Sequence, residues 1–372
     1  MPLRGEYLDK PTYAILRSLG GGNVGQAWVG FHEIFERQVV QKRYSTIGLE
    51  DAVAREEPRL MGEIEHPHVS EILEAQFDPE MARAITFVMP YYEGGSIADA
   101  LDEGYVFSIH QALKLTMQAL DALAHVHVHH RYVHRDMKPG NVFLDAERER
   151  VYVGDWGSAA RMDDSGRVAA IHGTLLYTPP EGGPDDGAMG TTGDVYATGL
   201  TLYEMLNGPF PYASISPEDA ERRLAEGRRP LPDSGFEHWD PCVPSDLRTL
   251  VRKAIRRSPD DRHQSCAFFR MELGRVRCID WRRVVGRGED LDGEWIGGWP
   301  PHMRDDQRRR YRVTSRRLQT GTRALEAMEA LPGSAWRRFG VPDGGVPPDD
   351  RPAVERFFAD VATRAAQRIP AR

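Results

Sequence analysis

Short runs that alternate apolar and polar residues open the chain. Tyr13–Leu19, Gln26–Phe31 and Gln38–Lys42 each read as a strand, and a glycine-rich stretch, Gly20–Gly25, joins the first two. Glu50–Ile64 has helical spacing but carries Pro58, whose ring removes a backbone donor. Glu71–Phe77 and Arg83–Met89 return to strand-like patterning. From Ser108 the period lengthens. Ser108 is placed to cap a helix with Leu113, Leu115, Leu120 and Leu123 at apolar positions. Further helices are expected over Asp194–Leu206, Pro217–Glu226, Ser245–Arg256 and Gln264–Arg275, with strands and loops between Tyr132 and Glu181. A small β-rich part followed by a larger α-rich part predicts two lobes with a ligand-binding cleft between them.

After Arg275 the character changes. Tryptophans, glycines and arginines gather over Trp281–Trp299. The arginine-rich stretch Asp305–Leu331 reads as a helix, Gly340–Pro348 as a turn-rich linker, and Val354, Phe357, Phe358 and Val361 as one face of a last helix. The chain is thus expected to divide into residues 10–275 and a mainly helical extension over 276–372, with the first unit split near residue 89 into its two lobes.

Composition narrows the setting. The chain has 372 residues, 40% of them hydrophobic, enough for a sizeable core. A net charge of −8 argues against nucleic acid as a general partner. The three cysteines, Cys242, Cys266 and Cys278, have no metal-ligand spacing and suggest free thiols in a reducing compartment. With neither a leader pattern nor a membrane-spanning apolar run, a cytoplasmic protein is expected. Lysine is scarce beside arginine: the chain has only Lys10, Lys42, Lys114, Lys138 and Lys253. Two of these fall where phosphate chemistry calls for a lysine.

Gly20, Gly22 and Gly25 fit G-x-G-x-x-G between two strands, where bare backbone N–H groups can approach phosphates. That motif alone is also compatible with a plain hairpin turn. Lys42 on the third strand can reach nucleotide phosphates, with Glu57 on the following helix as its expected partner and Glu56 as the alternative. The densest chemistry is His134-Arg135-Asp136-Met137-Lys138-Pro139-Gly140-Asn141. Asp136 can accept the proton of a substrate hydroxyl, Lys138 can neutralise charge on a transferred phosphoryl group, and Asn141 can ligate Mg²⁺. Asp155, in Asp155-Trp156-Gly157 at the end of a hydrophobic strand, can hold the same cation.

In this order and spacing the motifs resemble the eukaryotic-type protein kinase family over roughly residues 10–275. The resemblance implies a bilobal α+β kinase fold and transfer of the ATP γ-phosphoryl group to protein hydroxyls, with Mg²⁺, or Mn²⁺ as a substitute. Lys138 and Thr174 resemble the serine/threonine branch. Thr178-Pro-Pro-Glu181 resembles the end of the activation segment, Asp194 the brace of the catalytic loop, and Arg262 the partner of Glu181. By the same resemblance Ala27, Val40, Met89, Pro90, Tyr92 and Phe143 surround adenine, with Met89 as gatekeeper.

The departures matter too. Ala27 stands where the family usually has valine and Val40 where it has alanine, which we read as a volume-conserving exchange. Trp156 replaces phenylalanine after the metal aspartate. Asp163 and Asp164 are either ordinary solvated loop acids or stand-ins for a phosphate opposite Arg135. The extension is expected either to pack on the larger lobe through Val354, Phe357 and Phe358, or to recruit a partner through Arg308–Arg310 and Arg316–Arg317. A pseudokinase scaffold and a small-molecule phosphotransferase are the alternatives to a protein kinase.

Overall fold

The structure is a computed structural model. It describes residues 13–22, 25–34, 36–45, 56–77, 84–169, 174–183, 187–232, 236, 239–286, 291–299, 308–340 and 344–368.

The N-terminal lobe is a five-stranded antiparallel sheet in the order β1-β2-β3-β5-β4. Its strands are β1 (Tyr13–Gly22), β2 (Gly25–His32), β3 (Arg37–Ser45), β4 (Glu74–Phe77) and β5 (Ala84–Pro90). Helix α1 (Glu56–Glu63) lies between β3 and β4. The described helix begins at Glu56, so Pro58 sits in its first turn, where a missing N–H costs little. β5 is buried along nearly its whole length and carries the chain into the second lobe.

The second lobe is mainly helical. A capping box between Ser96 and Asp99 starts α2 (Ile97–Asp102), and Ser108 accepts from Gln111 N to start α3 (Ile109–His125). A π-helical turn, Val126–His130, follows α3 and ends at Arg131 in the left-handed region, φ 60°. Helix α4 (Thr191–Asn207) is buried on every side from Gly193 to Met205 and lies at the centre of the lobe. Around it stand α5 (Pro217–Ala225), α6 (Ser245–Ala254) and α7 (Cys266–Leu273). Short strands pair as β6–β9 (Tyr132–Val133 with Ala160–Arg161), β7–β8 (Val142–Leu144 with Val151–Val153) and β10–β11 (Val168–Ala169 with Ala188–Met189), and Phe143 of β7 lines the cleft.

The extension is not mainly helical. Asp305–Leu331, read above as a helix, contains a two-stranded antiparallel ladder: β14 (Arg309–Arg317) pairs with β15 (Arg323–Ala330). They belong to a six-stranded sheet with β12 (Asp280–Val285), β13 (Gly293–Trp299), β16 (Arg337–Arg338) and β17 (Gly344–Val346). The final helix, α8 (Arg351–Gln367), is present as expected. Its apolar face packs on the extension's own sheet, with Phe358 edge-on to Trp281 at 5.4 Å and to Trp295 at 5.1 Å.

The extension also joins the larger lobe through paired buried charges. Asp240 accepts from Trp295 Nε1 at 2.8 Å and pairs with Arg283 at 3.1 Å. Asp280 accepts from His110 N at 2.8 Å, and Arg248 pairs with Glu355 at 2.7 Å. Charges removed from water persist only with partners of this kind. One hydrophobic core runs from Leu60 in α1 to Ala365, through the larger lobe and the extension. Among the described residues, no helix is long and apolar enough to cross a membrane.

Candidate active site

Between the lobes lies a cleft of about 490 Å³. Ala27, Val40, Lys42, Met89, Pro90, Tyr92, Asn141, Phe143 and Asp155 all line it, as expected. Strand register explains the convergence. β2 and β3 place Ala27 opposite Lys42, and β3 and β5 place Val40 opposite Met89 and Val39 opposite Pro90. Gly20 and Gly22 lie in the paired end of β1, and Gly22 faces Gly25 across the hairpin mouth. On the opposite wall the Tyr92 ring stacks on Phe143 at 5.4 Å and on Tyr152 at 4.4 Å. Gly154 leaves room for this wall, since a Cβ there would come within 2.7 Å of the Phe143 ring. Leu19 and Phe87 also line the cleft and were not foreseen. Leu19 could have been found as the apolar residue that directly precedes the glycine turn.

The loop over residues 134–141 forms, with Thr174, a closed hydrogen-bond set centred on Asp136. Lys138 Nζ donates to its Oδ2 at 2.7 Å and Asn141 Nδ2 to the same oxygen at 3.0 Å. Thr174 donates to Oδ1 from its backbone N and from its hydroxyl, both at 2.9 Å. Burial pushes this carboxyl up, but the bonds from Lys138 and Thr174 prevail and hold it below the usual aspartate value. Asp136 is therefore charged and aimed.

Beneath it lies the brace. Asp194, fully buried at the start of α4, accepts from His134 N at 2.9 Å, from Arg135 N at 3.1 Å and from His127 Nε2 at 2.7 Å. Burial opposes its charge, yet His127 and His134 keep it below the usual range. His127 was also not foreseen. Its signal is a polar residue in the apolar register of α3 after Leu120 and Leu123, where an imidazole needs a buried partner.

Asp155 holds a left-handed backbone, φ 59°, at the end of β8 and forms an ion pair with Lys42. Trp156 beside it is buried, donates from Nε1 to Val153 O at 3.2 Å and packs on His134 at 4.5 Å. The Glu57 and Glu56 side chains lie outside the described residues, so the expected Lys42–Glu57 pair does too; the backbone of both is in α1. Arg135 donates to the backbone carbonyls of Ser158 at 2.5 Å and Ala169 at 2.8 Å. Asp163 does not take the place of a phosphate opposite it, because its carboxylate accepts from Ser165 and Arg167 and closes its own turn.

The segment that follows is fixed at two points. Glu181 forms a two-pronged pair with Arg262, 2.7 Å on each side, as expected. Tyr177 donates to Glu204, buried near the end of α4, and Tyr212 binds the same carboxylate.

These features suit a magnesium nucleotide. Asn141 Nδ2 is committed to Asp136, which leaves the amide oxygen for a cation, and Asp155 supplies a carboxylate across from it. Among the described residues, no group of three or more His, Cys, Asp or Glu is arranged to hold a metal alone. One carboxylate and one amide oxygen match Mg²⁺, which keeps waters and takes phosphate oxygens as its other ligands.

The protein kinase domain family matches residues 13–272. This chain belongs to the protein kinase family. It is similar to the serine/threonine-protein kinase PrkC of Bacillus subtilis, 25% identical over 268 residues, covering 70% of this chain and 40% of PrkC. It is 28% identical to a probable serine/threonine-protein kinase of Streptomyces coelicolor over 298 residues, covering 78% and 43% of the two chains. It is 32% identical to PknB of Mycobacterium tuberculosis over 194 residues, covering 51% and 30%. The chain thus spans less than half the length of these curated relatives.

Proposed function

We propose that this kinase-family chain is an active serine/threonine protein kinase, with a catalytic unit over residues 10–275 and an extension over 276–372. The observation that carries the reading is the closed set in which Lys138, Asn141 and Thr174 all converge on Asp136. Asp136 accepts the proton of an incoming serine or threonine hydroxyl as that oxygen bonds to the γ-phosphorus of ATP and the bond from the γ-phosphorus to the β,γ-bridging oxygen breaks, with ADP as the leaving group. Lys138, 2.7 Å from Asp136, offsets negative charge on the moving phosphoryl group. Lys42 and the glycine hairpin hold the remaining phosphates, and Asn141 with Asp155 would hold Mg²⁺, or Mn²⁺ in its place. When bound, the cation supplies charge neutralisation for the phosphates.

A protein acceptor is favoured over a small molecule by the Thr174–Glu181 segment. Arg262 and Glu204 pin it as a platform beside Asp136, on which an extended peptide can lie. A pseudokinase reading has less support, because Lys42, Asn141 and Asp155 line the cleft and Asp136 is hydrogen-bonded to Asn141 beside them. The free thiols Cys242, Cys266 and Cys278, their acidity suppressed by burial, suit a cytoplasmic setting.

Transfer from radiolabelled ATP tests the assignment, with a generic basic protein, the chain itself and free small hydroxyl compounds as acceptors. Label on serine or threonine of protein, absent with Asp136→Ala, is expected. Label on the small compounds alone would contradict the reading. The adenine pocket offers a second check. Ala27→Val with Val40→Ala conserves volume, so the pair should change ATP affinity by less than about threefold while either substitution alone costs more.

A further inference from the structure

Five of the chain's 13 histidines meet on one patch behind the cleft. His66 and His68 lie on the loop between α1 and β4. His125 ends α3, and His129 and His130 belong to the π-helical turn after it. Ring centroids stand 5.8 Å apart for His66 and His68, 5.0 Å for His66 and His125, 4.7 Å for His125 and His129, and 5.6 Å for His125 and His130. The acidic group that faces His66 is Asp121 on α3, and it is already paired with Arg270 of α7 at 2.6 Å. Among the described residues, the carboxylate that faces His66 is thus shared with an arginine.

The same loop is sewn to the strand that carries the metal aspartate. Val153 N donates to His68 O at 2.8 Å, Ser70 N donates to Val153 O at 2.9 Å, and His68 Nδ1 bonds Val151 O at 3.1 Å. β8 ends at Val153, two residues before Asp155. One of the loop's own bonds depends on protonation. His66 Nδ1 accepts from the backbone N of His68 at 3.2 Å. A protonated imidazole donates from both nitrogens, so charging His66 turns that contact into donor against donor.

We propose that the histidine patch is an acid-sensitive latch: protonation of His66 and His125 loosens the 66–70 loop from β8 and so unseats Asp155. Burial first, and then the neighbouring histidines, hold both rings below the ordinary value of 6.5. The fold therefore favours their neutral forms. Their contribution is complete above 6.5 and is lost as pH falls below it. His66 adds a geometric cost that a lone surface histidine lacks, because its protonation breaks a loop bond.

Amide hydrogen exchange on the full chain tests this, after correction for intrinsic exchange, at Ser70 and Val153 with Leu200 of α4 as reference. Between about pH 7.5 and pH 5 the parent should lose about tenfold in protection at Ser70 and Val153 relative to Leu200. His66→Gln and His125→Gln should each reduce that loss to about threefold or less. His263, buried on the far side of the lobe, also resists protonation, but its effect would reach Leu200 as well. If either variant fails to fold, the exposed-turn double variant His129→Gln with His130→Gln is read instead and should blunt the response around His125. Equal losses in parent and variants, or a loss shared equally by Leu200, would overturn the latch. The readout needs no nucleotide, so it does not depend on the kinase assignment.

Discussion

The two ends of α4 each bury a carboxylate, with opposite results. Asp194 in its first turn receives two backbone N–H groups and the His127 ring, and stays charged below the usual aspartate range. Glu204 near the other end receives Tyr177, Tyr212 and the amide of Phe210, yet burial prevails and raises it to about 7. Burial is severe at both sites, so depth does not decide the outcome. The donors do. Backbone amides and an imidazole that can itself carry charge compensate a buried anion, whereas neutral phenols compensate it less. One end of the helix therefore holds a permanent charge under the catalytic loop. The other holds a carboxyl that changes charge near neutrality beside Tyr177 and Tyr212.

The largest expected effect comes from breaking the charged end. Asp194→Asn should cost about 3–5 kcal/mol in urea unfolding, because the amides of His134 and Arg135 lose their anionic acceptor. It should also abolish measurable transfer. A stable variant with normal activity would show that the loop holds itself. Next is the neutralised end. Since Glu204 has a raised value in the fold, unfolded chains release its proton first, and stability falls as pH rises from 4.5 to about 7. Its share is roughly 3 kcal/mol at most, and thermal melts of Glu204→Gln across that range should show a flatter slope than the parent. An unchanged slope would mean that the carboxyl titrates normally. The smallest effect should come from Tyr212→Phe. It removes one donor from Glu204 at about 1 kcal/mol and moves the midpoint of that pH dependence further up. A downward movement would reverse the role given to the phenol.

The charged end was legible in advance because Asp194 and the loop it braces occupy fixed places in a motif series. Glu204 was not, since its character depends on Tyr177 and Tyr212, distant in sequence from one another. The extension shows the same limit. Along β15, Arg323, Leu325, Ala327 and Glu329 all point inward. Two of those four are charged: Arg323 pairs with Asp292 at 2.6 Å, and Glu329 holds Arg309, Arg337 and Arg368. Buried ions therefore mask the period-two alternation, and the Ala, Leu, Glu and Met content mimics a helix. Pairing with β14 and β17 overrides that local preference. α8 was readable because Val354, Phe357, Phe358 and Val361 form an unbroken apolar stripe. Pro58 was ambiguous until the start of α1 was known.

The most direct test of the central claim separates nucleotide binding from transfer in Asp136→Asn. ATP affinity would be measured with Mg²⁺ by calorimetry and single-turnover transfer to a protein serine or threonine by rapid quench. Asp136 is not among the residues that line the cleft, so affinity should change by less than about threefold while transfer slows by about 10²–10⁴-fold. Transfer at the parental rate with intact binding would contradict the assignment of Asp136 as the group that receives the hydroxyl proton.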